Sequence, residues 1–205
     1  MFNCLRIGMK RDWFCLSNKS ISHGDYSLIA VQSRDIEQIR IWRNMQISVL
    51  RQSSPISREE QLNYYKDKIF PSMRLKEPLN ILMSFLMKGE LIGYGGLVHL
   101  NWHDRRGEIS FLLNPLFTQD KMIYKEKHII FLRLLSILAF KDLGFNKIFT
   151  ETWATRVPHI NNLEAFGFKL EGILRKHVLI NGRYEDALIH GCLATNYKIN
   201  AHYEK

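Results

Sequence analysis

The chain has 205 residues, of which 46% are apolar and 12% aromatic, so it is long and apolar enough to bury one substantial core. Its formal net charge of +9 favours anionic partners, such as phosphate-bearing small molecules, nucleic acid or a membrane surface. The basic residues are spread along the chain and no nucleic-acid-binding motif accompanies them, so we expect no nucleic acid partner.

Membrane spans, secretion and disulfides are not predicted. The longest apolar stretch, residues 129–140, is interrupted by Arg133 and is shorter than the roughly 20 residues that a transmembrane helix needs. The first 24 residues lack the pattern of a secretory signal, so we expect a cytoplasmic location and no membrane partner. The three cysteines (Cys4, Cys15 and Cys192) are too scattered for a disulfide framework or a metal site, so we expect free thiols and no metal.

The first half of the chain is predicted to contain a strand and two helices, after an N-terminal extension of residues 1–24. A strand-like run, DYSLIAVQ, is followed by SRDIEQIRIWRNM, in which apolar residues recur at helical spacing. Ser57 with Glu60 three residues later is a capping box, which predicts the start of a second helix at this point.

The second half is predicted to contain strands that alternate with two more helices. Two strands are expected in NILMSFLMKGELIGYGGLVHL, and GEISFLLN alternates as a third, with Glu108 on one face. A buried helix ending at Gly144 precedes the strand KIFTETWA, and a short helix ends at Gly167. A final hairpin turns at Asn181 and Gly182, and the order of elements indicates a mixed α+β fold.

Four segments, in this order, resemble the GNAT superfamily of acyl-CoA-dependent N-acetyltransferases: IRIWRN, GEISFLLNP, AFKDLGFNKIFTET and NNLEAFGFKLEGILRKHVLINGRYEDALIHGCL. The resemblance, to the amino-sugar and ribosomal-protein branches, covers roughly residues 26–193. It implies a central, mostly antiparallel sheet of six to seven strands, splayed between the fourth and fifth strands and flanked by about four helices. It further implies an acetyltransferase domain over residues 25–198 and a tail of residues 199–205.

The same resemblance implies that acetyl-CoA is the cosubstrate and fills the gap between the two splayed strands. Backbone groups of Phe111, Leu112 and Leu113 on the fourth strand would then bind the pantetheine arm and help to stabilise the oxyanion. The pyrophosphate would lie at the start of the central helix, where relatives carry a glycine-rich loop.

The corresponding loop here, LFTQDKMIYKEKH, contains no glycine, so its backbone cannot wrap a pyrophosphate as closely. One interpretation is that Lys121, Lys125 and Lys127 replace the backbone donors with point charges. The alternatives are an ordinary solvated loop or a degenerate site that no longer binds CoA. Arg156 falls where many relatives carry an asparagine near the cofactor, and it could contact a CoA phosphate or an acidic substrate, or be an ordinary surface arginine before a helix. Leu163 falls where many relatives carry a tyrosine that acts as the general acid, so the resemblance does not imply a general acid on this helix.

Acetyl transfer to an amine requires a base that removes a proton from the ammonium group. Glu108 is the first candidate, because relatives often carry an acid there and a carboxylate inside a sheet needs a partner or a function. Glu151 on the next strand is the second. By resemblance, the helix that covers the acceptor pocket contributes Trp42, Arg43 and Asn44, and His99 is a further predicted acceptor contact.

The leading functional hypothesis is an acetyl-CoA-dependent N-acetyltransferase that acts on a primary amine of a small molecule, with a nucleotide-linked amino sugar as one such acceptor. Two alternatives stay open: a protein N-terminal acetyltransferase of the ribosomal-protein type, and a catalytically inactive GNAT-fold binding module. A homodimer is a further expectation.

Overall fold

The computed structural model describes residues 11–201, with side chains described as far as residue 197. Eight strands form one sheet in the order β1-β2-β3-β4-β5-β6-β8-β7. The strands are β1 Ser20–His23, β2 Tyr26–Ala30, β3 Ile81–Met87, β4 Glu90–Asn101, β5 Arg106–Leu113, β6 Lys147–Trp153, β7 Lys169–Ile180 and β8 Arg183–Leu193. Of the strand pairs in this part of the chain, β5 with β6 is parallel and the others are antiparallel.

The helices lie between these strands and after them. They are α1 Ile36–Met45, α2 Arg58–Tyr64, α3 Phe70–Ser72, α4 Lys121–Ser136, α5 Val157–Phe166 and α6 Ala194–Ala201. A π-helical turn joins α2 to α3, and another extends α4 as far as Asp142. Over the described residues, no helix has both the length and the apolar character needed to cross a bilayer.

Three local sequence signals have the predicted effect on the backbone. The Ser57 hydroxyl accepts a hydrogen bond from the N–H of Glu60, and the Glu60 carboxylate accepts one from the N–H of Ser57, so the capping box begins α2. Gly167 ends α5 with a φ of +114°, a conformation that costs glycine little. Asn181 and Gly182 both have positive φ in the turn of the final hairpin.

The mixed α+β class is confirmed, but the sheet has eight strands where six to seven were predicted. The additional strand is β1, which pairs with β2 across a turn that contains Gly24 at a φ of +56°. Trp13 is also buried, and its indole N–H donates to the carbonyl oxygen of Leu82 at 3.0 Å. Part of the predicted N-terminal extension therefore packs on the sheet, while the predicted domain limits themselves stay predictions.

The sheet opens between β5 and β6, the fourth and fifth strands when β2 is counted as the first. These two strands pair over Arg106–Glu108 and Lys147–Phe149, and no further pairs follow. Phe111 contacts Phe131 of α4 at a centroid distance of 4.6 Å, so α4 covers one face of the sheet beside the opening. The predicted splay is confirmed. The point where the two strands separate, called the fork below, lies at Glu108.

Candidate active site

Beyond the last paired residues, the backbone of β5 presents polar groups to the opening between β5 and β6 that β6 does not pair. The N–H of Asn114 donates to the carbonyl oxygen of Ile92 on the β4 side, while the carbonyl of Arg105 accepts hydrogen bonds from the β6 side. Because these directions alternate along an antiparallel strand, Phe111 and Leu113 direct their backbone groups away from β4, on the side of the opening. The carbonyl oxygen of Leu113 already accepts a hydrogen bond from Nε2 of Gln46 at 2.9 Å. Leu112 directs its groups towards β4, so of the three predicted backbone contacts only two face the gap.

The two predicted catalytic carboxylates are joined by one arginine at the fork. Nη2 of Arg51 lies 2.5 Å from Oε1 of Glu108 and 3.2 Å from Oε2 of Glu151, and Nη1 lies 3.3 Å from the second oxygen of Glu108. Glu108 belongs to β5 and Glu151 to β6, so Arg51 bridges the strands where their backbone pairing ends. A guanidinium with its planar set of donors suits such a double contact.

Two histidines complete this polar cluster. His99 Nδ1 lies 2.7 Å from Oε2 of Glu108, and His177 Nε2 lies 3.6 Å from Oε1 of Glu151. His99 has a φ of +50° at an irregularity in β4, which turns its side chain towards β5. The structure therefore brings three predicted site residues together: Glu108, Glu151 and His99.

A cavity of about 600 Å³ adjoins the cluster between the α1–α2 connection and the β7–β8 hairpin. Arg51, Glu151, Trp153 and His177 line it, together with the segment from Ile47 to Ser53 on one side and hairpin residues on the other. Its size is in the range of small-molecule sites. This cavity is therefore a candidate acceptor site that reaches one of the two carboxylates.

On the opposite face of the sheet, aromatic and imidazole rings fill the space between β5, α4 and α5. His128 stacks on His159 with ring centroids 4.2 Å apart and on Phe111 at 4.7 Å. The Tyr124 hydroxyl lies 2.7 Å from Nδ1 of His159. Burial, with a smaller effect of the Arg156 charge, lowers the pKa of His128 to about 3, and burial holds the pKa of His159 well below its usual range. Both rings are therefore neutral near pH 7.

Arg156 crosses the open end of the gap. Arg156 follows β6, and its guanidinium contacts Tyr124 of α4, which packs near Phe111 of β5. On the other face of the sheet, Nη1 of Arg156 lies 3.4 Å from the carbonyl oxygen of Val49. Burial lowers the pKa of its guanidinium, and the contact with Tyr124 opposes that shift. No carboxylate of the described residues pairs with Arg156, so its charge remains available to an anion in the gap.

The start of α4 is already occupied by a carboxylate. Oδ1 of Asp120 accepts hydrogen bonds from the N–H groups of Met122 and Ile123 at 2.7 and 3.1 Å. These are the free donors that a bound pyrophosphate would use at a helix N-terminus. Lys121 and Lys125 are exposed beside them, where their ammonium groups are accessible to a phosphate.

Lys127, the third predicted cofactor contact, lies elsewhere. It is only 6% exposed, and its Nζ is 3.3 Å from the Tyr26 hydroxyl and 5.0 Å from the ring centroid of Phe117. Helical geometry explains the difference, because residue 127 is about 200° around α4 from residue 125. The structure does not bring Lys127 to the exposed face of the first turn, and its predicted role stays untested.

The three predicted acceptor residues of α1 also divide into two groups. Trp42 is buried in the core and borders a separate cavity of about 710 Å³. Arg43 donates through Nε to Gln52, while Asn44 donates to the carbonyl of Ile56 and accepts from its N–H. Arg43 and Asn44 therefore hold the segment that carries Arg51, and whether they also contact an acceptor stays a prediction.

Sequence reasoning missed Arg51 and Tyr124. Arg51 lies in an irregular connection where no periodic pattern marks it, and only the fold places it beside two acids on other strands. Tyr124 follows the glycine-free loop and looks like an ordinary residue of the first turn of a helix.

Across residues 11–201, no group of three or more His, Cys, Asp or Glu side chains has the geometry to hold a metal ion.

Comparison with known families decides the class. Residues 28–189 match the family model described as the acetyltransferase (GNAT) domain, which covers most of the chain. The chain belongs to the GNAT acetyltransferase family. The prediction of an N-acetyltransferase that uses acetyl-CoA as cosubstrate is confirmed at the level of this family. A search of curated proteins found no match to this chain.

Solved structures agree with this GNAT fold. The spermidine N-acetyltransferase from Vibrio cholerae, in complex with CoA and spermine, superposes with a TM-score of 0.75 at 20% identity, covering 86% of this chain and 99% of that one. A dodecameric structure of the Vibrio cholerae enzyme, in an intermediate state, has a TM-score of 0.71 at 21% identity over 85% and 97% of the two chains. At this identity the likeness establishes the shared GNAT fold.

Proposed function

We propose that this GNAT protein transfers an acetyl group from acetyl-CoA to a primary amine of a small, cationic acceptor. The observation that carries the proposal is the pair of carboxylates, Glu108 and Glu151, at the fork of the sheet beside a cavity of about 600 Å³. Carboxylates attract an ammonium group, and one of them can then accept its proton.

The proposed reaction uses both faces of the opening. The thioester lies in the gap, where the N–H of Phe111 or Leu113 donates to the carbonyl oxygen and stabilises the developing oxyanion. The acceptor ammonium gives a proton to Glu108, and its nitrogen attacks the thioester carbonyl carbon. The carbon–nitrogen bond forms, the carbon–sulfur bond breaks, and CoA leaves as its thiolate. The thiolate takes the second proton of the acceptor nitrogen, so the products are the neutral amide and the CoA thiol. Arg156 is proposed to bind a CoA phosphate at the open end of the gap.

The acidic fork distinguishes among the acceptors that the sequence suggested. A nucleotide-linked amino sugar carries a diphosphate, which needs a basic surface close to the amine, whereas the groups nearest Glu151 in the cavity are acid, imidazole and one engaged arginine. The solved relative is a spermidine acetyltransferase bound to spermine, an amine with several positive charges. A polycationic amine is therefore the first acceptor to test, followed by the amino-sugar nucleotide and a peptide N-terminus.

The test is CoA release from acetyl-CoA with each of these three acceptors, for the wild-type protein and for Glu108→Gln and Glu151→Gln. Glu108→Gln is expected to lower kcat by about a hundredfold or more, as removal of a general base does, and Glu151→Gln by less. Glu90→Gln is the matched control, because Glu90 is exposed at the β3–β4 turn, eight residues along β4 from Val98, the residue that pairs with Glu108. Absence of turnover with every acceptor, despite a folded protein, would favour the inactive binding module.

Location and assembly belong to the same proposal. We expect the enzyme to act in the cytoplasm, where acetyl-CoA is available, and to form at least a homodimer. The dodecameric relative shows that this fold supports self-association in another protein. Sedimentation of the purified protein tests the expectation, and a monomer at micromolar concentration would contradict it.

A further inference from the structure

The position of Arg51 is difficult to reconcile with a free base at Glu108. Both oxygens of Glu108 are engaged: Oε1 by Nη2 of Arg51 at 2.5 Å, and Oε2 by Nη1 of Arg51 at 3.3 Å and by His99 at 2.7 Å. These three contacts take up most of the roughly four lone-pair sites of a carboxylate. Arg51 therefore competes with the acceptor ammonium for Glu108, and movement of Arg51 would free the carboxylate to accept a proton.

Arg51 also resembles the proposed substrate in chemistry. It is a cation that places one nitrogen within 3.2 Å of oxygens from both Glu108 and Glu151. A substrate ammonium that is bound by both carboxylates would occupy this position. The two carboxylates and the guanidinium leave one net negative charge at the fork, so a second cation is attracted while the first is still bound.

The segment that carries Arg51 can move without unfolding the sheet. Residues 50–57 have no regular secondary structure, and the side chain of Arg51 is 41% exposed. Side-chain hydrogen bonds attach this segment to α1: Asn44 donates to the carbonyl of Ile56 and accepts from Gln52. Arg43 donates to Gln52 and Arg40 to the carbonyl of Ile56, and Arg156 makes a longer contact with Val49. Loops held by such contacts open at low cost compared with paired strands.

We propose that Arg51 is a specificity-determining residue that occupies the acceptor site as an internal cation and is displaced by the substrate. The inference rests on the proposed function, because it assumes that the amine binds at Glu108 and Glu151. Displacement of a guanidinium with three close contacts favours acceptors with two or more positive charges over simple monoamines. Arrival of the correct amine then frees Glu108 to act as base in the same step.

Kinetics of Arg51 variants test the specificity. Spermidine and n-propylamine serve as the polycationic and monocationic acceptors. Arg51→Met is expected to lower the KM for spermidine by about fivefold and the KM for n-propylamine by more, because a competing cation has been removed. The kcat should be no lower than in the wild-type protein. Arg51→Lys, which makes fewer directed contacts, is expected to have an intermediate KM. Arg74→Met is the matched control, since Arg74 is exposed and distant in sequence.

Two kinetic results would overturn the inference. A fall in kcat with unchanged or higher KM in Arg51→Met would mean that Arg51 positions the carboxylates for catalysis. An unchanged KM and kcat for both amines in Arg51→Met would mean that Arg51 does not occupy the acceptor site.

Limited proteolysis of the wild-type protein tests displacement without any turnover. Trypsin cleaves after arginine, and we expect spermidine, at matched ionic strength, to increase cleavage after Arg51 about threefold relative to cleavage after Arg74 in the same reaction. An unchanged or lower ratio would overturn the inference. An increased ratio in a protein that acetylates no amine would refute the proposed function and leave displacement of Arg51 supported.

Discussion

The carboxylate of Asp120 accepts a hydrogen bond from the backbone N–H of Met122 at 2.7 Å, and a second from Ile123 at 3.1 Å. It thereby satisfies donors at the start of α4 that an anion would otherwise use. A CoA pyrophosphate at this helix must share these donors with a negative charge that already belongs to the protein. The absence of glycine in the loop is therefore accompanied by an internal anion at the helix start.

Replacement of Asp120 by asparagine should strengthen CoA binding. Asparagine retains the helix cap, while loss of the negative charge removes repulsion of a nearby phosphate, worth about 1 kcal/mol at contact distances in water. We expect the Kd for CoA, measured by calorimetry, to fall about fivefold. Asp67→Asn on the exposed face of another helix is the control. An unchanged Kd would show that the pyrophosphate does not lie at this helix.

The three lysines of the loop should differ in effect. Lys121→Ala and Lys125→Ala are each expected to raise the Kd for CoA about threefold at low salt and less at 0.5 M salt, because exposed charges are screened. Lys127→Ala should leave CoA binding unchanged and lower the free energy of unfolding by about 1 kcal/mol, because the buried stem and its contact with Tyr26 are lost. Calorimetry and urea unfolding measure the two effects. Weaker CoA binding in Lys127→Ala alone would contradict this division.

Arg156 should contribute to CoA binding more than to stability. Arg156→Leu removes a partly buried guanidinium that has no carboxylate partner among the described residues, so the free energy of unfolding should change by less than about 1 kcal/mol. The Kd for CoA should rise about tenfold, because a charge-assisted contact with phosphate is lost. Arg175→Leu, on the exposed surface of β7, controls for loss of charge. A large loss of stability with unchanged CoA binding would assign Arg156 a structural role.

Buried histidines should make the fold sensitive to acid. The pKa of His128 is about 3 in the folded protein, because burial disfavours the charged ring, and about 6.5 in an unfolded chain. Between these values the unfolded chain binds a proton that the folded chain does not. Stability is therefore expected to fall as the pH is lowered from about 6.5, by about 1.4 kcal/mol per pH unit for this histidine.

Urea unfolding of His128→Phe measures this contribution. The loss of stability between pH 7.5 and pH 5 should be smaller than in the wild-type protein by about 2 kcal/mol, because phenylalanine does not titrate. His103→Gln is the control, since His103 is exposed in the turn between β4 and β5. Equal losses in His128→Phe and wild type would show that His128 is protonated in the folded state.

Much of the fold could be predicted because its signals are local. The capping box at Ser57, the glycine at the end of α5 and the turn at Asn181 and Gly182 each act within a few residues, and each has the expected conformation. Strand β1 was missed because four residues with one buried side chain, Ile21, show no clear alternation. Its position depends on pairing with β2, which a single-sequence pattern does not reveal.

The order of most helices and strands, the resemblance to GNAT acetyltransferases and the candidate acids at positions 108 and 151 follow from the amino-acid sequence alone, because alternation, caps and motifs are properties of neighbouring residues. Which side chains meet depends on the folded structure. Arg51 is 57 residues from Glu108 and 100 from Glu151, yet its guanidinium contacts both at the fork of the sheet. Such contacts depend on the path of the chain in three dimensions, and they decide which charges an acceptor encounters.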